Sequence, residues 1–369
     1  MCGARKPRVD KLMAKAKKIH GLHCGAPVGD GIKLVFATRI SELLDWRKAA
    51  LDWSDPEGVH SMRVASRRLR SVMRDFLPYL PKRSFASSIK RFKSIADSLG
   101  EVRDQDVAIA ALEEIEKRAP AEHSAALKQF IAKRKEVREH QRRKLKVALG
   151  KSELKTLETD FTTALEEATT AAERKRKRLT PPTFATVSQE IIRDRLKEFE
   201  KRSDGIFKPL DVNALHELRI AAKRLRYAIE LLAPCFPRSI STHAKRAARI
   251  QAALGDLHDC DSWIVHLGDE IIPARKEKAT EQVAALTWLL NHFARLRTKH
   301  LHRAFARWQE WETHDTSGKL REAINNQKPA PPQPATQPEP PVQPEPQPQP
   351  EASASQEVPT TVEIISSAF

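Results

Sequence analysis

Long apolar runs are missing from this 369-residue sequence; none approaches the roughly 18–20 uncharged residues that a bilayer-spanning helix needs. Cysteine is scarce as well. Cys2, Cys24, Cys235 and Cys260 show no C-x-x-C spacing and are too few to staple so long a chain. They read as free thiols in a reducing compartment, and with no secretory pattern at the start a cytoplasmic location is expected. Only two tyrosines and 12 glycines are present, which disfavours sheet, and aromatic residues reach only 6%, which leaves little for stacking on nucleic-acid bases. P-loop, G-x-S-x-G and H-E-x-x-H patterns are all absent, as is an acidic cluster beside a nucleophile. A binding module is therefore expected rather than an enzyme, with no catalytic residue, metal or cofactor assigned.

Positive charge is what the chain has in excess. Its 65 Lys and Arg against 48 Asp and Glu give a net charge of +17. From Pro329 onward there are five Glu and no Lys or Arg, so the +17 of the whole chain becomes +22 for the residues before it. A body that basic selects for polyanions: nucleic acid, anionic membrane or condensed phosphate.

One stretch occurs twice and organises the rest. Val59-His60-Ser61-Met62-Arg63-Val64-Ala65-Ser66-Arg67-Arg68-Leu69-Arg70 and Leu215-His216-Glu217-Leu218-Arg219-Ile220-Ala221-Ala222-Lys223-Arg224-Leu225-Arg226 both read H-x-x-R-x-x-x-[RK]-R-L-R. At about 100° per residue, His60, Arg63, Arg67, Arg70 and Arg74 fall within one sector of a helix. Met62, Leu69, Val72, Met73 and Phe76 take the opposite sector and suit a core. In the second copy His216, Arg219, Lys223 and Arg226 share the cationic face, and Glu230 stands where Arg74 stood. A second pair of segments, Leu99-Gly100-Glu101-Val102-Arg103-Asp104-Gln105-Asp106 and Leu254-Gly255-Asp256-Leu257-His258-Asp259-Cys260-Asp261, recurs at almost the same offset. A period of about 155 residues is the size of a small domain, so the pattern predicts an all-α protein of two pseudo-symmetric four-helix bundles from an internal duplication.

In order, residues 1–28 form a basic arm, 29–180 the first repeat, 181–327 the second and 328–369 a Pro-, Gln- and Glu-rich tail expected to be disordered. The tail's apolar end, Val362-Glu363-Ile364-Ile365, reads as a docking peptide for an unknown protein or as a segment without role. His20 and His23 beside Cys24 lack a fourth ligand at usable spacing. A first helix is expected over Gly31–Trp53, with Leu34, Phe36, Ile40, Leu43 and Leu44 facing inward; Asp55 and Pro56 then cap and start the motif helix, which Pro78 and Pro81 end. The next helix, Ser84–Leu99, sets Phe92, Ile95 and Leu99 against Lys90 and Lys93, and its counterpart, Ser241–Leu254, sets Ile250 and Leu254 against Lys245 and Arg249. Gly100 and Gly255 suit left-handed residues that close these helices. Asp104, Asp106, Asp259 and Asp261 would then start the following helices, as caps, as partners that orient an arginine, or as oxygen ligands of a divalent cation. Long helices are expected over Ala121–Leu149, Lys151–Arg178 and Glu277–Trp311. In the last of these, His300 and His302 lack the i, i+4 spacing of a helical zinc site.

Arginines three or four residues apart on one face repeat about every 5 Å and fork onto phosphate oxygens. A histidine in the first turn or so adds a donor whose charge a bound phosphate would favour. Taken singly such a face is usually only solvated; the recurrence of histidine plus three cations weighs toward a shared ligand.

These residues resemble the CHAD family, the conserved histidine α-helical domain, through H-S-M-R-V-A-S-R-R-L-R, L-G-E-V-R-D-Q-D, H-E-L-R-I-A-A-K-R-L-R and L-G-D-L-H-D-C-D, over about Gly31–Ala323. The resemblance implies two four-helix bundles facing across a central basic cavity that binds inorganic polyphosphate, often directing the protein to polyphosphate granules. His60, Arg63, Arg67, Arg70, His216, Arg219, Lys223 and Arg226 match the histidine-motif positions, and Lys93 and Arg103 match basic positions near the L-G motif. Ala248 replaces Lys93 and His258 replaces Arg103 in the second repeat, a departure from the pattern. Some relatives carry a fused triphosphatase domain with E-x-E-x-K; none is visible here, so hydrolysis is not carried over. Two other readings stand beside polyphosphate binding: nonspecific RNA or DNA binding through the same charge, and a polyphosphate or triphosphate hydrolase with a metal on the four aspartates.

Overall fold

The computed structural model describes residues 16–175 and 182–326. The expectations for the rest of the basic arm, for the end of the helix after Lys151 and for the tail lie outside the described residues.

The described residues are all-α, with no strand among them. Helix α1 (Val28–Asp45) and the short α2 (Arg47–Ala50) replace the single helix expected over Gly31–Trp53. Trp46 interrupts it, letting Gly58 of the following helix pass so close to Ala49 that a Cβ there would lie 2.0 Å from the Ala49 carbonyl oxygen. Phe36, Ile40 and Leu43 are buried as expected, while Leu34 is 37% exposed. The motif helix α3 (Glu57–Phe76) follows, and Asp55 accepts a hydrogen bond from the Glu57 amide at 2.8 Å. A single 3-10 turn at Leu77–Tyr79, with Pro78 inside it, ends α3.

Helices α4 (Ala86–Glu116) and α5 (Ala121–Ala148) form a long antiparallel hairpin, and α6 (Lys151–Lys175) closes the first half. In the second half α7 (Phe184–Lys201) begins at Thr183, whose hydroxyl caps the Thr186 amide at 3.1 Å. The second motif helix α8 (Val212–Leu232), a 3-10 turn at Ala233–Cys235 and the hairpin of α9 (Ile240–Lys276) with α10 (Thr280–Thr313) repeat the order seen around α3. The final α11 (Thr316–Asn325) was not expected; its cap, Asp315, sits at φ 41° and accepts from the Gly318 amide at 3.1 Å.

Two expectations are corrected. Gly100 and Gly255 do not close helices; they lie inside α4 and α9, which continue through Asp104 and Asp259. A helical glycine costs about 1 kcal/mol, but Leu99 and Val102, like Leu254 and Leu257, keep the apolar stripe in register across it, and burial of that stripe outweighs the cost. The aspartates are consequently mid-helix residues and not caps. Cys24 and Cys235 are not free thiols: they form a disulfide, with Cα atoms 5.4 Å apart and 211 residues between them in sequence. Local spacing could not reveal a bond that tertiary folding creates, and its presence stands against the reducing compartment inferred from cysteine usage. Cys260 is free and buried.

The main core draws on both halves. Phe161 of α6 packs against Phe36, Phe85 and Phe92 with ring centroids 5.0, 5.1 and 5.8 Å away, and Phe199 meets Trp311 at 4.9 Å. Phe76 of α3 stacks on Phe184 of α7 at 5.6 Å, joining the two. A second apolar cluster lies further along the hairpins, where the ends of α4 and α9 (Ile109, Leu112, Leu267) meet the starts of α5 and α10 (Phe130, Leu286, Phe293). The halves are thus tied at both ends, with α3 and α8 packed against each other between them.

Candidate functional site

The apolar sector of α3 is buried as the periodicity requires: Met62, Leu69, Val72, Met73 and Phe76 are at most 5% exposed. That burial fixes the rotation of the helix and turns His60, Arg63, Arg67, Arg70 and Arg74 to the opposite side. Leu218, Leu225, Ile229 and Leu232 fix α8 in the same way.

The two cationic rows meet. Lys223 of α8 is pushed down to about 7, by burial first and then by repulsion from Arg219 on its own helix and from Arg67, Arg70 and Arg74 on α3. Arg219 is lowered by burial, with Arg67 opposing its charge and Asp259 supporting it. Arg63 is lowered by burial and by Arg67, while Asp104 and, from the other half, Asp259 act the other way. Cations of one repeat therefore lie within electrostatic reach of cations of the other.

Helices α4 and α9 flank the rows. Arg103 of α4 is near enough to His60 to be the largest charge acting on it; burial and then that repulsion lower the histidine and favour its neutral form. At the matching place on α9 stands His258, with its Nδ1 3.4 Å from Nδ1 of His216 and the ring centroids 4.5 Å apart. His216 is lowered by burial, then by Arg219; His258 is pushed down to about 4 by burial, then Arg219 and His216.

Carboxylates neutralise part of the rows. Asp104 pairs with Arg63 at 3.0 Å, and Asp97 approaches Arg70 at 4.0 Å. Arg74 bonds Ser71 at 2.6 Å and the buried Asp75 at 3.1 Å, which also holds Arg195 at 3.0 Å. Arg226 bonds Glu230 at 2.7 Å and Gln251 at 3.3 Å. Among the described residues, Arg67, Arg103 and Lys223 have no carboxylate within ion-pair distance, and the buried Nε of Arg219 has no hydrogen-bond partner. Cations left unpaired in a crowded, partly desolvated place are unfavourable unless an anion joins them.

The remaining expected residues are less central. Lys93 lies one turn before Asp97 on the α4 stripe that meets α3 at Asp97 and Asp104, and Lys90 lies one turn further out; both are exposed. Lys245 holds the corresponding outer position of α9, while Arg249 is directed to Glu310 of α10 at 3.9 Å. Of the three readings of the aspartates, orienting an arginine is the one the geometry supports. Asp106 lies 3.6 Å from both Arg138 and Arg142, and Asp261 binds Arg297 at 2.5 Å. Among the described residues no three His, Cys, Asp or Glu side chains are placed to hold a metal ion, and no helix is long and apolar enough to cross a membrane.

Sequence reasoning ranked Lys223 and His258 no higher than their neighbours, since what distinguishes them is contact with the other helix. Only the mismatch of His258 with Arg103 hinted at its position.

The model of the CHAD domain family matches residues 34–268. The crystal structure of the CHAD domain from the plant Ricinus communis superposes with a TM-score of 0.58 at 20% identity, over 85% of this chain and 96% of that one. PptA from Streptomyces chartreusis gives a TM-score of 0.53 at 14% identity, over 77% of this chain and all of the other. Comparison with curated proteins gives no match. At these identities the superpositions speak to the fold, and the family follows from the model that spans more than half of the sequence: the chain belongs to the CHAD domain family.

Proposed function

We propose that this protein binds inorganic polyphosphate without hydrolysing it, along a basic groove made by the rows of α3 and α8 and flanked by Arg103 and His258. The observation that carries the reading is the meeting of the two rows at Lys223, a lysine pushed down to about 7 by burial and then by arginines from both halves, with no carboxylate beside it. Such a place gains most from a ligand that supplies many closely spaced negative charges, and condensed phosphate does so without presenting bases to be read. The scarcity of aromatic residues weighs against stacking on RNA or DNA. Commitment of Asp104, Asp106 and Asp261 to arginines weighs against a metal-dependent hydrolase. Association with polyphosphate granules belongs to the same proposal; the state of Cys24 and Cys235 in protein recovered from cells reports the compartment.

The test is titration with long-chain polyphosphate at two salt concentrations, with RNA as competitor and phosphate release followed in the presence of magnesium. The expected result is tight binding whose affinity falls steeply with salt, with a log–log slope of about 3 or more, little displacement by RNA and no phosphate release. Weak binding indifferent to salt, or ready displacement by RNA, would overturn it; magnesium-dependent release abolished by Asp106→Asn would establish the hydrolase instead.

A further inference from the structure

The two halves of the groove differ at Lys223 for Arg67, Glu230 for Arg74 and Ala248 for Lys93, and at one flanking position the difference is between a guanidinium and an imidazole. Arg103 on α4 and His258 on α9 occupy equivalent places in the repeated L-G segments, each beside the histidine that heads its motif helix. In the first half that place carries a permanent charge. In the second it carries an imidazole in contact with another imidazole.

We infer that the groove has one permanently charged half and one proton-gated half, in which the His216–His258 pair binds phosphate only as it takes up a proton from solvent. The inference rests on the polyphosphate reading and adds its regulation.

The contact itself argues for the gate. With Nδ1 of His258 3.4 Å from Nδ1 of His216, one nitrogen carries a hydrogen and the other offers its lone pair; two fully protonated rings would set two N–H groups against each other. Arg219 Nη2 lies 3.5 Å from the same His216 nitrogen, so a donor already faces it. The free pair therefore disfavours protonation, and the uptake of one proton per pair is the natural limit.

The charges around the pair act in the same sense. From α8 it faces Arg219 and Lys223, with Glu217 opposing them; from α3, Arg67 reaches Arg219. On α9, Asp261 favours the protonated form of His258, but its carboxylate is held by Arg297 of α10 at 2.5 Å. Nearby Asp256 is held by Arg303 of α10 at 2.9 Å and lies 3.6 Å from His300. Burial and then repulsion from Arg219 and His216 push His258 down to about 4 until an anion arrives. A phosphate oxygen beside the rings reverses the largest repulsive contribution, raises the affinity of the pair for a proton by about one to three pH units and gains an N–H donor in return. The gate then works in the mildly acidic range.

The experiment is calorimetric titration of the full chain with inorganic polyphosphate near about pH 5.5 and about pH 7.5, each in two buffers of different ionisation heat so that proton uptake is read directly. Wild type, His258→Arg and the milder His258→Gln are compared; Lys223 is common to all three, so its titration cancels from the comparison. The wild-type gain in affinity on acidification should exceed that of either variant by about tenfold, with a larger proton uptake. His258→Arg should bind more tightly than wild type at the higher pH, whereas His258→Gln should fall behind wild type by more at the lower pH than at the higher. Equal pH ratios and equal uptake in all three proteins would overturn the gate while leaving polyphosphate binding intact. Absence of binding by wild type at both pH values would overturn the function and the gate together.

Discussion

Replacing Lys223 by methionine should stabilise the free protein while weakening its hold on polyphosphate. The lysine's ordinary value of 10.5 falls to about 7 in the fold, through burial and the four arginines Arg219, Arg67, Arg70 and Arg74. The unfolded chain therefore binds the proton more tightly than the native one. The resulting destabilisation is absent above about pH 10.5, grows as pH falls toward 7 and is complete below 7. The drop corresponds at most to about 5 kcal/mol. Because Lys223 is only partly buried, screening brings the expected gain for Lys223→Met to about 2 kcal/mol near pH 6. The methionine stem preserves most of the packing, so little lost burial should offset it. Urea denaturation of both proteins at about pH 6 and about pH 10 provides the test. A variant clearly more stable at the lower pH, with the advantage shrinking at the higher, is the expected outcome. Equal stability at both pH values, or a loss at the lower one, would refute the convergence of the two rows on this lysine.

Three further outcomes follow from other parts of the structure. Arg67→Ala removes a cation with no carboxylate partner, so it should lower the salt slope of polyphosphate binding by about one without lowering the thermal midpoint. Glu42 is buried beside Arg39 and Arg68, and Glu42→Ala should cost about 3–5 kcal/mol in urea denaturation because the buried carboxylate that both guanidinium groups contact is removed. Reduction of the Cys24–Cys235 disulfide, or Cys235→Ser, should cost about 2–5 kcal/mol, since the bond closes most of the second motif helix's path back to the start of α1; an unchanged melting curve under reducing conditions would show that the bond is not formed in solution.

The motif helices were legible in the sequence because their two faces differ so sharply: once Met62, Leu69 and Phe76 are assigned to the core, the direction of Arg63, Arg67 and Arg70 follows. The start of α3 after Asp55 and its stop at Pro78 were legible from local capping and proline chemistry. Gly100 and Gly255 misled because the propensity of one residue was weighed against a stripe that runs on past it, and in a hairpin as long as α4 with α5 the stripe decides. Cys24–Cys235, the stacking of Phe76 on Phe184 and the depressed Lys223 all depend on contact between segments far apart in sequence, where neither periodicity nor motif carries information. The departure at His258 was visible as a mismatch, but its meaning came only from the ring of His216 beside it.

The most direct test of the account is whether the two rows serve one ligand. Polyphosphate titrated into wild type, Arg67→Ala, Arg219→Ala and the double variant, at one fixed salt concentration, answers it. The account expects a single binding event in wild type, weakened by either substitution alone, with the double variant departing from the sum of the two because both arginines contact the same chain. Two independent events, one lost with Arg67 and the other with Arg219, would contradict it.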